Sequence, residues 1–185
     1  MRVAGIDCGK EGAISIIDSD EKKEVFFLCD APIIKLDNGK TKIIKLADGK
    51  TKGGKKKIKT MYDIPLMNDL LSKYGIEYIF IENAQAMPGQ GVSSMFSIGK
   101  GFGIWLGLIV GRGIPYETVS PRTWQKAFNI KGDSSKEQAY NACLRLFQNL
   151  STRLITIRGR IIDGRADATL IAEYGVRELR KKGQV

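Results

Sequence analysis

The order of the apolar segments constrains the fold of this 185-residue chain more than any other feature of its sequence. Three short β-prone runs come first, joined by tight polar or glycine-containing turns, and this order predicts an antiparallel meander. Two more β-prone runs follow, separated by helical patterns. The predicted strands cover residues 2–7, 13–17, 24–28, 76–81 and 114–119.

Helical spacing of apolar residues predicts helices over residues 61–74, 93–110 and 164–181, and another that begins after residue 134. Ser134 and Glu137 have the spacing of a capping box at the start of that helix. The helix over 93–110 carries a glycine at every fourth position, a set formed by Gly99, Gly103, Gly107 and Gly111. This glycine stripe predicts close packing against another backbone, either the sheet or a partner helix. A membrane span is not expected, because charged residues flank too short an apolar run.

An internal repeat separates the third predicted strand from the first predicted helix. Residues 33–42 are followed at once by residues 43–52, and eight of the ten positions are identical. Each copy is a β-prone run with an Asn-Gly or Asp-Gly turn signal, which predicts a β-hairpin. Residues 33–59, called here the Lys-rich insertion, hold a net charge of +8 out of +10 for the whole chain. We expect residues 1–185 to form one domain that carries this insertion on its surface.

The position of the positive charge bears on the partner of the protein. A basic chain favours a polyanionic partner, and nucleic acid before a membrane. Lys55, Lys56 and Lys57 at the glycine-rich tip of the insertion are predicted to contact the phosphates of a DNA arm. The alternative is a solvated loop that only increases solubility.

The chain contains no histidine, which excludes Ser-His and Cys-His nucleophile pairs and zinc sites that need imidazole. Cys8, Cys29 and Cys143 are too far apart in sequence for a C-x-x-C site. An odd number of cysteines without a secretory signal indicates a reducing compartment, and we expect the cytoplasm. Any catalysis would rest on carboxylates, cysteine, lysine or tyrosine, helped by a metal, and no nucleotide cofactor is expected.

Acidic residues fall where predicted strands and helices begin or end. Asp7 ends the first strand and Glu82 follows the fourth, so their carboxylates would lie side by side if these strands are neighbours. Asp163 and Asp167 are spaced i, i+4 and share one face of the last helix. Four converging carboxylates repel one another unless cations lie between them, and oxygen ligands select Mg²⁺ or Mn²⁺. The set predicts a two-metal site for phosphodiester hydrolysis.

Each acid also has a simpler interpretation. Asp7 precedes a glycine-rich turn and could be only a turn residue, and Asp163 could be only a helix N-cap. Glu82 and Asp167 fit such interpretations less well, because an acid among apolar neighbours is costly unless it is paired.

Four stretches carry motifs that match a known family in the same order: residues 5–12, residues 80–91 continued by 95–103, residues 119–124, and residues 163–175. They resemble RuvC-type Holliday junction resolvases of the ribonuclease-H-like superfamily, especially phage members, over nearly the whole chain outside the Lys-rich insertion. The resemblance implies an α/β fold with a mixed five-stranded sheet flanked by helices. It also implies a homodimer that binds four-way DNA and nicks two opposed strands with Mg²⁺.

The resemblance extends to single residues. Asp7, Glu82 and Asp167 match the metal-binding acids of the family, and Asp163 is the predicted fourth acid. Bacterial members have their fourth acid at the position of Gly164. The family's dimer contacts involve the helix after the Glu82 motif, so the glycine stripe could face the partner subunit.

Contacts with DNA are implied as well. Lys136 matches a family lysine that contacts the scissile region, with a solvated first-turn lysine as the alternative. Gln85 stands where many bacterial members have an aromatic wedge. Met87 or Phe96 could take over that role, although both residue types are more often found in a core, or the junction could be opened in another way. Lys100 and Arg165 are further predicted DNA-binding residues.

The sequence therefore predicts a Mg²⁺-dependent endonuclease, with two ions per site and Mn²⁺ as a substitute, that resolves four-way and other branched DNA by paired nicks. Two alternatives stay open. One is a ribonuclease H that cuts RNA·DNA hybrids, and the other is a non-catalytic protein that binds branched DNA.

Overall fold

A computed structural model describes residues 1–19, 24–37, 40–42, 59–85, 89, 91–132 and 134–185. The strands in these ranges are β1 (Arg2–Ile6), β2 (Ala13–Asp18), β3 (Val25–Asp30), β4 (Ile33–Asp37), β5 (Lys40–Lys42), β6 (Lys59–Tyr62), β7 (Tyr78–Glu82) and β8 (Tyr116–Val119). The helices are α1 (Ile64–Lys73), α2 (Val92–Gly111), α3 (Pro121–Ala127), α4 (Ser135–Leu146) and α5 (Asp163–Lys181).

The main sheet has five strands in the order β3-β2-β1-β7-β8. Strands β1, β2 and β3 pair antiparallel, as the predicted meander requires, whereas β7 pairs parallel to both β1 and β8. The predicted mixed five-stranded sheet flanked by helices is therefore confirmed. Parallel pairing of β1 and β7 brings their carboxyl ends to the same edge of the sheet, with Ile6 opposite Ile81.

Both faces of the sheet are covered by helices, so the central strand β1 is buried along almost its whole length. One core lies between the sheet and helices α3, α4 and α5, and a second lies between the sheet and helices α1 and α2. Alternation along β7 divides its side chains between the two cores. Phe80 faces α5, while Ile79 and Ile81 face the other core.

A second, three-stranded sheet with the order β5-β4-β6 forms the base of the Lys-rich insertion. The first repeat copy contains the hairpin strands β4 and β5, with Asp37 opposite Lys40. The second copy and Lys55, Lys56 and Lys57 fall in residues 43–58, outside the described residues.

The predicted start of the first helix at residue 61 is wrong, because residues 59–62 form β6 and pair with β4. The helix begins at Ile64 instead. Asp63 caps it by accepting a 3.1 Å hydrogen bond from the backbone N–H of Leu66, and a proline occupies the first turn.

The predicted start of α4 after residue 134 is confirmed, but its cap and the presence of α3 differ from the prediction. The capping box of α4 does not form, because Ser134 makes no side-chain bond to the helix backbone and accepts instead from the Gln138 amide. Helix α3 was not predicted, although Ser120 and Pro121 are typical of a helix start, and the Ser120 hydroxyl accepts from the backbone of Thr123.

Of the two partners predicted for the glycine stripe, the sheet is wrong and the partner helix stays a prediction. A Cβ added at Gly99, Gly103, Gly107 or Gly111 would meet none of the described atoms within 4 Å. Gly101 makes the close contact instead, since a Cβ there would overlap the Cys8 carbonyl and the Tyr62 ring. Helix α2 has the length and composition of a membrane span, but its other face buries Trp105 and Ile109 on the sheet.

Candidate active site

Asp7 and Glu82 lie side by side at one edge of the main sheet. Ile6 of β1 pairs with Ile81 of β7, and Asp7 and Glu82 are the residues that directly follow this pair. Both acids lie on the face of the sheet on which Gly5 and Phe80 contact α5. The sequence predicted that these carboxylates would lie side by side if their strands were neighbours, and β1 and β7 are neighbours.

Two glycines bring the last helix to these acids. A Cβ on Gly5 would overlap the backbone of α5 at Ala168 and Ala172, so the helix lies directly on β1. A Cβ on Gly164 would overlap the Glu11 carbonyl in the β1–β2 loop. An acidic side chain therefore has no room at position 164, and the acid that the helix start can present is its neighbour Asp163.

Asp7, Asp163 and Asp167 line one cleft of about 290 Å³. The β1–β2 loop and the first turns of α2 form its other walls. Glu82 does not line this cleft but lies next to Asp7 at the strand end. The structure therefore brings all four predicted acids to one edge of the sheet.

Three of the four carboxylates have a hydrogen-bond or ion-pair partner among the described residues. Asp7 Oδ1 accepts from the Gly9 backbone N–H at 3.1 Å, so the turn interpretation of Asp7 also holds. Glu82 Oε2 accepts from the indole Nε1 of Trp124 at 2.7 Å. Asp163 starts α5 without capping it, and its Oδ2 lies 2.5 Å from Lys136 Nζ.

Burial and mutual repulsion act on the protonation of these acids. Burial, followed by the charge of Asp7, raises the pKa of Glu82 to about 7. Burial is also the main cause that raises the pKa of Asp7, and the charge of Asp163 adds to it. The pKa of Asp167 lies well above its usual value because of burial and the charges of the other three acids, which Lys136 partly offsets. Full ionisation of the set thus requires additional positive charge.

The donor set fits a hard divalent cation. It consists of carboxylate oxygens, and the nearest thiol, that of Cys8, has a pKa raised to about 12 by burial, so it stays protonated and binds metal poorly. In their present rotamers, no three Asp, Glu or Cys side chains in the described part of the chain converge tightly enough to hold an ion. The residues fit Mg²⁺ or Mn²⁺ by chemistry, and their role as ligands stays a prediction.

The predicted DNA-binding residues that the structure describes differ in their exposure and contacts. Lys136 is largely exposed and reaches Asp163, while Gln85 and Lys100 are exposed after β7 and on α2. Phe96 is 75% exposed on α2 and is therefore not a core residue. Met87 lies outside the described residues.

Arg165 is engaged within the protein. Its Nε and Nη2 donate to the two carboxylate oxygens of Asp30 at 2.5 and 2.9 Å, and its Nη1 donates to the Arg153 carbonyl at 2.7 Å. This fork joins α5 to the end of β3. The predicted DNA contact of Arg165 would have to compete with all three bonds.

Two residues near the site were missed by the sequence analysis. Trp124 is buried and its indole N–H is bonded to Glu82, and the sequence signal for it was its place at the end of the 119–124 motif. Tyr62 is buried under the cleft, where its hydroxyl lies 3.2 Å from the Cys8 carbonyl and 3.3 Å from the Ser97 carbonyl. Beside it, Lys10 Nζ donates to the Thr60 carbonyl at 2.9 Å, so the β1–β2 loop is tied to the base of the insertion.

No protein-family model matches the sequence, and no curated protein matches it either. The fold does match solved structures. RuvC from Thermus thermophilus in complex with a Holliday junction substrate superposes with a TM-score of 0.60 at 15% identity, over 100% of this chain and 97% of that chain. A second Thermus thermophilus RuvC structure gives 0.58 at 15% identity, over 100% and 98%. The yeast mitochondrial Holliday junction resolvase Ydc2 gives 0.45 at 13% identity, over 98% and 84%. The two RuvC superpositions show that the chain has the fold of RuvC Holliday junction resolvases.

Proposed function

We propose that this protein is a metal-dependent endonuclease that resolves four-way and other branched DNA by paired nicks. The observation that carries the proposal is the meeting of four acids from two strand ends and one helix start at a single edge of the sheet. The RuvC-like fold supports the choice of substrate, since one of its structural neighbours was solved with a Holliday junction.

Asp7, Glu82, Asp163 and Asp167 would hold two Mg²⁺ ions, or Mn²⁺ as a substitute. When bound, such ions supply an activated water and a stabilised leaving oxygen for phosphodiester hydrolysis. The chain's own part is to hold the acids in position. The Gly9 N–H fixes the Asp7 carboxylate, and Trp124 fixes Glu82.

Lys136 is suited to a role beside the scissile phosphate. Its ammonium group lies at the mouth of the site on the first turn of α4, and its hydrogen bond to Asp163 raises its pKa, so it is charged at neutral pH. A charged lysine at this place would attract the DNA backbone to the acids.

Resolution of a junction by paired nicks requires two active sites, and we propose a homodimer. The exposed glycine stripe supports it, because a helix face without side chains allows another helix to approach closely. Val92 and Phe96 are also exposed on this helix, at 79% and 75%. The Lys-rich insertion would grip a DNA arm, and the expected location is the cytoplasm, that of the host for a phage protein.

The decisive experiment is the cleavage of a synthetic four-way junction with Mg²⁺ or Mn²⁺, beside a linear duplex, a flap and an RNA·DNA hybrid. We expect paired nicks in the junction that are lost in Asp7→Asn. Asp69→Asn, which removes an exposed carboxylate on α1, is the matched control and should cut normally.

The same reactions separate the alternatives. Equal or faster cutting of the hybrid would identify a ribonuclease H. Tight, salt-dependent binding of the junction without nicking in either metal would identify a non-catalytic binder. A stability measurement adds a readout independent of activity, because Mg²⁺ should raise the melting temperature of the wild-type protein and not that of Asp7→Asn.

A further inference from the structure

Residues 155–161 form a small β-hairpin, called here the site hairpin, immediately before α5. Ile155 and Ile161 pair antiparallel, and the Thr156 N–H donates to the Arg160 carbonyl at 2.8 Å. The turn closes with a 2.8 Å bond from the Gly159 N–H to the Thr156 carbonyl, and Gly159 has φ +75. This left-handed position favours glycine and defines a tight three-residue loop.

The tip of the site hairpin combines an apolar side chain with free positive charge. Ile157 is 91% exposed, more than any other large hydrophobic side chain in the described ranges. Arg158 and Arg160 on either side of Gly159 are exposed, and neither guanidinium has an ion pair or hydrogen bond with the described residues. A lone exposed isoleucine is ordinary, but one at the tip of a basic hairpin is suited to DNA.

The base of the site hairpin is held firmly. Leu154 is fully buried, and its carbonyl accepts from the Ile162 N–H at 2.8 Å. The Arg153 carbonyl accepts from Arg165, whose guanidinium is fixed on Asp30. Contacts to the core and to β3 therefore anchor the base of the hairpin, so Ile157 is presented from a rigid support.

The site hairpin also lies beside the four acids. It leads directly into Asp163, and Lys136 pairs with that aspartate. Arg160 lies three residues before Asp163, on the side of the hairpin that leads into that aspartate. The cations of Lys136 and Arg160 are thus close to Asp163, which lines the cleft, and Arg158 stands beside Ile157 at the hairpin tip.

We propose that the site hairpin opens branched DNA, with Ile157 inserted between bases at the branch point and Arg158 and Arg160 bound to the adjacent phosphates. This inference rests on the proposed function and assigns a DNA contact to residues outside the motifs of the sequence analysis. Insertion of an apolar side chain into a base step, flanked by basic residues, is an established way to unstack DNA.

The other exposed apolar candidate near the cleft fits this role less well. Phe96 lies on the same helical face as Gly99 and Gly103, at spacings of three and seven residues. It therefore belongs to the face of α2 that we propose for the partner subunit.

The test uses a four-way junction with 2-aminopurine beside the branch point, whose fluorescence rises on unstacking. Binding and fluorescence are measured without divalent cation, and nicking is then started with Mg²⁺. The variants are Ile157→Ser, Ile157→Leu and a double Arg158→Gln, Arg160→Gln variant. Leu66→Ser, which removes another exposed leucine-sized side chain on α1, is the matched control. Thermal melting checks that each variant is folded.

Loss of the wedge should affect opening more than binding. We expect Ile157→Ser to lose most of the fluorescence rise and to nick about tenfold more slowly, with junction affinity changed less than about threefold. Ile157→Leu and Leu66→Ser should behave like wild type. The double arginine variant should weaken binding to junction and duplex alike and lower the slope of log K against log salt by about 2.

The outcomes separate this inference from the proposed function. If wild type cuts the junction but Ile157→Ser keeps both the fluorescence rise and the nicking rate, the insertion of Ile157 is wrong and the resolvase proposal stands. If wild type binds without any fluorescence rise, the wedge is wrong as well. If wild type neither binds nor cuts the junction, both proposals are overturned.

Discussion

The indole Nε1 of Trp124 donates a 2.7 Å hydrogen bond to Oε2 of Glu82, although the two residues are 42 positions apart in the chain. The bond holds one of the four acids from the α3 side, while the strand pairing sets Glu82 beside Asp7. Helix α3 therefore contributes to the candidate site the indole N–H of Trp124, which orients the Glu82 carboxylate.

Removal of this donor should weaken catalysis. In Trp124→Phe, Glu82 loses the bond that lowers its pKa, so we expect the acidic limb of the pH–rate profile to move up by about one pH unit. The rate at neutral pH should fall about fivefold for the same reason. Junction cleavage across pH measures both effects.

Trp105→Phe is the matched control for this variant. Trp105 is also fully buried, but its Nε1 has no hydrogen-bond partner among the described residues. Both variants lose similar packing, so only Trp124→Phe should shift the profile. A shift of equal size in both would show that packing, and not the hydrogen bond, is responsible.

Lys136 is predicted to compete with the cation for Asp163, since its Nζ lies 2.5 Å from Oδ2. We expect Lys136→Met to bind Mn²⁺ several-fold more tightly by calorimetry, because a positive charge leaves the site. Cleavage should nevertheless slow about tenfold or more if the lysine acts on the DNA backbone. Lys131→Met, on the exposed loop before α4, is the control and should change neither the Mn²⁺ affinity nor the cleavage rate. If Lys136→Met also changes neither, Lys136 is only a solvated lysine.

The stability of the metal-free protein should fall as pH rises through neutrality. The folded-state pKa of Glu82 is raised from 4.5 to about 7, so the folded state binds more protons than the unfolded state between these values. Each unit of such a shift corresponds to at most about 1.4 kcal/mol. Glu82→Gln removes the penalty and should raise the melting temperature in EDTA at pH 8.

The advantage of Glu82→Gln should vanish toward pH 4, where the wild-type carboxyl is protonated in both states. Glu24→Gln, at an exposed glutamate, should have no such pH-dependent effect. A stabilisation that is equal at both pH values would contradict the assignment to ionisation.

The fork between Arg165 and Asp30 is predicted to stabilise the fold. Arg165→Met leaves a half-buried carboxylate unpaired and should lower the free energy of unfolding by about 2 kcal/mol. Asp30→Asn should cost a similar amount, and the double variant less than the sum. If Arg165→Met keeps full stability but lowers the salt slope of DNA binding by about 1, the residue contacts DNA instead.

The tip of the Lys-rich insertion is predicted to supply phosphate contacts. Changing Lys55, Lys56 and Lys57 together to glutamine should lower the slope of log K against log salt by up to about 3. Cleavage at saturating protein should be unchanged, because the acids are elsewhere. An unaltered affinity and slope would leave the insertion as a solubilising loop.

Most strands and the apolar faces of most helices could be predicted because they depend on local periodicity. The errors occurred where a distant contact decided the result. Residues 59–62 form a strand because β4 offers them an edge to pair with. For the glycine stripe the sequence left two partners open, and the structure rules out the sheet, since Gly5, Gly101 and Gly164 make the tight contacts within the described part of the chain.

The sequence by itself determined that Asp7 and Glu82 stand at strand ends, that Asp163 and Asp167 share a helical face, and that a site without histidine must use oxygen ligands. Only the tertiary structure decided that these acids meet, because their approach depends on the parallel pairing of β1 with β7 and on the contact of α5 with Gly5. It also decided which groups hold the acids and where the site hairpin stands. Such contacts join residues far apart in the chain. They form only when the whole fold packs, so no local sequence pattern predicts them.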